Sequence, residues 1–237
     1  MMAGDSPAGI LNPQALAEVQ ARIAAARAGS SNSAPRITLV AVTKAFPVQT
    51  LVSGYEGGLR IFGESRVQEA AAKLPRFPQR RECEVRLIGH LQSNKARKAV
   101  QLFDCIESVD SLKLLHRLDC IAEEEDKAGL PIYMQINAGH DEAKFGFDPD
   151  ELLRLADEVA AVEQLRIAGI MTIAPLTADE QRLRDCFRTA RQVRDAVQAT
   201  IPTCVDLSMG MTDDFELAVE EGATHVRIGR ALFGERP

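Results

Sequence analysis

Residues 37–44 read Ile37-Thr38-Leu39-Val40-Ala41-Val42-Thr43-Lys44, an apolar and β-branched run that closes on a charged side chain. Its length and residue types predict a buried strand. Seven similar runs follow: Arg60–Phe62, Val85–Ile88, Asp104–Glu107, Ile132–Asn137, Ile167–Met171, Thr203–Asp206 and Thr224–Ile228. Helical patterns separate them. Leu152, Leu155, Ala156 and Val159 share one helix face, and Leu183, Phe187, Ala190, Val193 and Val197 share another. Strands that alternate with helices pair in parallel through right-handed crossovers. Eight such units in 237 residues predict a single α/β domain, a closed (β/α)8 TIM barrel, over 36–237.

Upstream of the first strand, Pro13 to Ala28 patterns as an additional helix with Leu16, Val19, Ile23 and Ala26 on one side. Gly29 to Pro35 (GSSNSAP) joins it to the barrel, so 1–35 form an N-terminal helix and linker. Met1 to Gln14 has neither the basic region nor the apolar core of a secretory leader. No apolar run approaches the roughly 20 residues of a membrane span. Hydrophobic residues make up 46% and charged residues 26%, a composition that supports a real core. The net charge of −6 disfavours nucleic acid and anionic membranes as partners. Five widely spaced cysteines without a CxxC pair suit a reduced compartment, which predicts a cytoplasmic protein with mostly buried thiols. No Cys/His cluster has metal-ligand spacing.

In such a barrel the reactive groups sit where strands end and βα loops begin. Alternation along the first strand points Val40, Val42 and Lys44 inward. Lys44 either reaches water there or is desolvated, and desolvation lowers a lysine pKa and yields the neutral amine that a Schiff base needs. The run Ser208-Met209-Gly210-Met211-Thr212-Asp213-Asp214 follows the seventh strand and opens a helix, with Thr212 as its N-cap. Arg227-Ile228-Gly229-Arg230 ends the eighth strand. These two loops are the common phosphate site of the fold, although glycine and serine also serve ordinary turns. Arg227 shares inward parity with His225 and needs a ligand or an acid such as Asp206. His90, ending the third strand, is a ligand contact or a structural residue. Met171 touches a ligand or packs as core.

The stretches LVAVTK (39–44), FGESRVQEAAAK (62–73), LIGHLQSNK (87–95), INAGHDEAKFGF (136–147), IAGIMTIAPL (167–176) and LSMGMTDDFELAVEEGATHVRIGRALFG (207–234) occur in this order over almost the whole chain after residue 36. As a set they resemble the pyridoxal phosphate homeostasis proteins, relatives of the barrel domain of alanine racemase. The resemblance implies that Lys44 is the Schiff-base lysine for pyridoxal 5′-phosphate. It further implies that Ser208, Gly229 and neighbouring backbone hold the phosphate, and that Arg227 lies by the pyridine nitrogen. An arginine there keeps its own proton and weakens the ring as an electron sink. Ser65, His90, Met171, Met209 and Arg230 complete the implied cofactor contacts. The family's Gly-Glu-Asn-Tyr-Val-Gln-Glu reads Gly63-Glu64-Ser65-Arg66-Val67-Gln68-Glu69 here, which shortens one polar side chain and removes an aromatic hydroxyl beside the cofactor.

The implied role is a cofactor carrier in vitamin B6 homeostasis, monomeric, with pyridoxal phosphate-dependent apo-enzymes as recipients. One rival reading is an amino-acid racemase. It needs a base on each face of the substrate carbon, and alanine racemases take the second, a tyrosine, from a β-rich domain of the partner subunit. The last barrel motif closes at Gly234 and the sequence ends at Pro237, so no such domain is expected. The other rival is a Schiff-base aldolase or sugar-phosphate isomerase, which would carry no chromophore.

Overall fold

The computed structural model describes residues 9–141 and 143–236, so the leader reading over Met1 to Gln14 falls largely outside it. The first half contains α1 (Pro13–Ala28), β1 (Thr38–Val42), α2 (Val48–Glu56), β2 (Ile61–Glu64), α3 (Val67–Lys73), β3 (Glu84–Leu87), α4 (Ala96–Leu102), β4 (Cys105–Val109) and α5 (Leu112–Glu124). The second half contains β5 (Leu130–Ile136), α6 (Pro149–Arg154), α7 (Ala156–Ala160), β6 (Leu165–Thr172), α8 (Glu180–Thr200), β7 (Asp206–Ser208), α9 (Phe215–Glu220), β8 (His225–Ile228) and α10 (Arg230–Phe233). Every strand pairs in parallel with the next, and β8 returns to β1 with Arg227 opposite Val40, which closes the predicted barrel.

Two sequence expectations shift. The seventh strand forms at Asp206–Ser208 instead of Thr203–Asp206, because Thr203 and Cys204 are used in the approach turn. Thr203 Oγ1 donates to the Ile167 carbonyl, and the Cys204 N–H donates to Ile201. The helix expected through Leu152 and Val159 breaks into α6 and α7 at Leu155, whose N–H is shared between the carbonyls of Glu151 and Leu152.

The α1 helix starts as its sequence predicts: the Asn12 side chain accepts from the Gln14 and Ala15 N–H groups, and Pro13 occupies the first turn. It packs against α9 and α10. The Ser30 hydroxyl in the linker donates to the Glu220 carbonyl, and the Arg22 guanidinium lies 4.6 Å from the Phe215 ring centroid.

The main core lies between strands and helices, where the helix-facing residues Phe62, Ile106, Leu207 and Val226 meet Leu51, Leu115, Phe187 and Phe215. The axis is different. A small cluster of Cys105, Tyr133, Ala168 and Met171 shares it with charged groups. Glu107 is fully buried and both its oxygens are used, Oε1 accepting from Arg86 Nη1 at 3.0 Å and Oε2 from the Ser208 hydroxyl at 2.6 Å. Arg227 Nη1 donates to Ser208 Oγ at 2.7 Å, and Nη2 to the Thr172 carbonyl at 2.8 Å. Asp206 instead accepts from the Tyr133 hydroxyl at 2.9 Å, so Arg227 bonds to Ser208 and Thr172 and not to the acid expected from the sequence. Burial pushes the Glu107 carboxyl up, but Arg86, Arg227 and Ser208 together outweigh that and hold it below the usual carboxylate range.

His225 sits in the same interior, with Nδ1 2.8 Å from Thr224 Oγ1 and its ring edge-on to Tyr133. Burial, then the Arg86 charge, push the imidazole from 6.5 down to about 4. Folding therefore favours neutral His225. That contribution to stability is complete above about pH 6.5 and is lost as the pH falls towards about 4. The urea midpoint is expected to decline across this window in the wild type, and the decline to flatten in His225→Gln. Equal slopes in both proteins would place the acid sensitivity elsewhere.

Candidate functional site

At the C-terminal ends of the strands lies a cavity of about 410 Å³. It is lined by Val42 and Lys44 from β1 and its loop, Ile88 after β3, Ile173 after β6, and Met211 to Asp213 after β7. Arg227, Gly229, Arg230 and the segment 234–236 close the remaining side. Four of these side chains are cationic (Lys44, Arg227, Arg230, Arg236) and two are carboxylates (Asp213, Glu235). An acidic chain thus presents a net positive mouth, which attracts anions.

Lys44 continues the inward parity of Val40 and Val42 and ends in this cavity. Desolvation, followed by the charges of Arg236, Arg227 and Arg66, lowers its pKa. The shift enlarges the neutral fraction, the nucleophilic form of an amine. Gly229 precedes α10 at the rim. A Cβ there would stand 3.0 Å from the Val42 carbonyl oxygen, so β8 approaches β1 closely at this point. Arg230 pairs with Asp213 across the rim.

The other expected contacts lie elsewhere. Ser208 ends β7 and is fully buried below the cavity, bonded to Glu107 and Arg227. Met209 is buried in the main core, its N–H bonded to the His225 carbonyl. Met171 belongs to the cluster on the barrel axis. Ser65 lies in the loop after β2, against Gly89, where an added Cβ would come within 2.3 Å of the Ser65 carbonyl oxygen. His90 lies at the rim with Nδ1 2.8 Å from Asp110 Oδ2, and its ring stacks on Phe145 at 3.7 Å. Thr212 does not cap a helix. Asp214 holds the position before α9, and its carboxylate accepts the Met211 N–H to close the turn.

Several residues of the site were absent from the sequence reading. Arg86 sits at an inward position of β3 between Val85 and Leu87, and Glu107 at an inward position of β4 between Ile106 and Ser108, and that parity is the available signal. Glu64 and Lys73, which enclose the backbone around Lys44, gave no signal beyond their place in a family motif. Among the described residues, no helix is long and apolar enough to cross a membrane, and no group of His, Cys, Asp and Glu could hold a metal ion.

A family model for the alanine racemase N-terminal domain matches residues 15–237. A pyridoxal phosphate homeostasis protein of Synechocystis is 38% identical over 203 residues, covering 85% of this chain and 93% of that protein. Its namesake in Escherichia coli is 37% identical over 229 residues, covering 93% and 95%. PipY of Synechococcus elongatus, solved without PLP and with PLP bound, is 38% identical with TM-scores of 0.84 and 0.82, covering 94% of this chain and 99% of PipY. The alanine racemase of Corynebacterium glutamicum, 17% identical with a TM-score of 0.70, shares the barrel; the match covers 60% of that enzyme. This chain therefore belongs to the alanine racemase N-terminal domain family and, within it, to the pyridoxal phosphate homeostasis proteins.

Proposed function

We propose that the chain binds pyridoxal 5′-phosphate in the mouth cavity, takes its aldehyde on Lys44, and holds it for vitamin B6 homeostasis without consuming it. The observation that carries this reading is a desolvated lysine amine inside a cavity with more cationic than acidic side chains. Gly229 lines the cavity just ahead of α10 and has no side chain, which suits the close approach of a phosphate to backbone. When bound, the cofactor supplies an electrophilic aldehyde on a conjugated ring. Lys44 would present the amine and Gly229 and Arg230 would hold the phosphate, while Arg227 at the cavity floor keeps its proton in its bonds to Ser208 and Thr172. Ser208 acts through Arg227, Met171 through the packing on the barrel axis, and Met209 through the core between strands and helices. Ser65 and His90 shape the rim. Every one of these groups belongs to a single chain, so a monomer suffices, and pyridoxal phosphate-dependent apo-enzymes are the recipients this role requires. The five free thiols suit a reducing, cytoplasmic setting.

Lys44→Ala tests the assignment. Wild-type protein mixed with pyridoxal phosphate should show the visible absorption of an aldehyde held by an amine, and the variant should lose it with an unchanged circular dichroism spectrum. A band that persists in Lys44→Ala assigns the aldehyde to another lysine. A wild type that never colours favours the aldolase reading.

A racemase would need a second base facing Lys44 across the substrate. The tyrosines are committed elsewhere: the Tyr55 hydroxyl donates to Glu82 on the outer surface, and the Tyr133 hydroxyl to Asp206 below the cavity. We therefore expect loaded protein incubated with L-alanine in deuterium oxide to form no D-alanine over many turnovers. Catalytic formation of D-alanine, lost in Lys44→Ala, would establish an enzyme instead.

A further inference from the structure

The turn that carries Lys44 is gripped by charged side chains of the next βα unit. Ala45 adopts φ +64, a left-handed conformation that residues with a Cβ seldom enter, so this backbone persists only if its surroundings over-determine it. Glu69 Oε1 accepts the Ala45 N–H at 2.5 Å. Lys73 Nζ donates to the carbonyls of Thr43 and Phe46, both at 2.9 Å, and lies 2.8 Å from Glu64 Oε1 and 3.3 Å from Glu69 Oε1. The Thr43 hydroxyl donates to Glu64 Oε1 at 2.5 Å. An ammonium has three N–H donors, which here serve the two backbone carbonyls and Glu69, while the buried Glu64 carboxylate pairs with the charge at 2.8 Å. Glu64 shares parity with Phe62 and so faces α3, away from the barrel axis. The Lys73 and Glu64 side chains are 6% and 0% exposed, so neither charge has water to replace its partner. Lys73 thus spans Lys44 from behind, with one carbonyl held on the residue before it and one two residues after it.

We infer that Lys73, with Glu64 and Glu69, is a positioning device that fixes where the Lys44 amine stands in the cavity. The inference rests on the reading of Lys44 given above. A pair that merely pinned α3 to the barrel would influence stability and treat all ligands of the cavity alike. A device that aims the amine must act on ligands that engage the amine. Pyridoxal 5′-phosphate and pyridoxine 5′-phosphate separate the two cases, since both carry the ring and the phosphate and only the first carries the aldehyde.

The measurement is the ratio of dissociation constants for the two compounds in wild type, in Glu64→Gln/Lys73→Met, which removes both buried charges together, and in Glu69→Ala on the helix surface. The double variant should lose about tenfold of the preference for pyridoxal phosphate, in line with the sensitivity of bond formation to small misplacements. Its affinity for pyridoxine phosphate should stay within twofold. Glu69→Ala, which frees the Ala45 N–H and removes one carboxylate partner of Lys73 while leaving the buried Lys73–Glu64 pair in place, should shift the ratio in the same direction by a smaller factor, and it decides the matter alone should the double variant not fold. An unchanged ratio in the folded variants, or an equal loss for both compounds, overturns the positioning role and leaves Lys44 in place. A wild type that binds both compounds equally well overturns the reading of Lys44 itself, and the positioning role with it.

Discussion

A closed ring of parallel strands turns every second side chain towards one axis, and a group so directed must either be satisfied inside the ring or emerge at its end. That constraint governs this molecule. In β1 it carries Val40 and Val42 inward and delivers Lys44 to the mouth, where the strand stops. In β3, β4, β7 and β8 it turns Arg86, Glu107, Ser208 and Arg227 inward, so a charged cluster occupies space that branched apolar residues often fill in such barrels.

The interior cluster contributes little net stability by the usual reckoning, because desolvation of two guanidinium groups and a carboxylate offsets most of their attraction. Its effect is geometric. Glu107 takes a hydrogen bond from the hydroxyl that Arg227 also uses, and the Thr172 carbonyl takes the other end of the guanidinium. Arg227 is thereby held at the cavity floor in one orientation, with its charge intact. A second charged cluster, built on Glu64 and Lys73, lies on the other side of the β1 turn, in the layer between strands and helices. The two clusters thus flank the Lys44 turn, one facing the axis and one behind it.

The eight-strand alternation was legible because apolar runs of strand length alternate with helix-period stripes. The places where it slipped have local causes. Thr203 resembles a strand residue but spends its hydroxyl on the Ile167 carbonyl. Leu155 keeps the apolar stripe in phase while the backbone breaks, so periodicity could not reveal the split between α6 and α7. At the site, strand ends bring Lys44, Gly229 and Arg230 forward as candidates but leave water-exposed lysine and ordinary turn chemistry equally open, and only the family resemblance singles them out; Ser208 ends the seventh strand instead of following it, because that strand starts at Asp206. The charged partners were hidden for a different reason. Glu107 meets Ser208 across 101 residues of sequence, and Lys73 meets the Thr43 carbonyl across 30, separations that no local pattern encodes.

The central claim is that one lysine, at the end of β1, is where this protein holds the cofactor aldehyde. The most direct test is borohydride reduction of the wild-type protein mixed with one equivalent of pyridoxal phosphate, followed by proteolysis and peptide mapping. A single phosphopyridoxyl group is expected, on the peptide that contains Lys44. A label on Lys73, Lys95 or Lys144, or spread over several lysines, would contradict it.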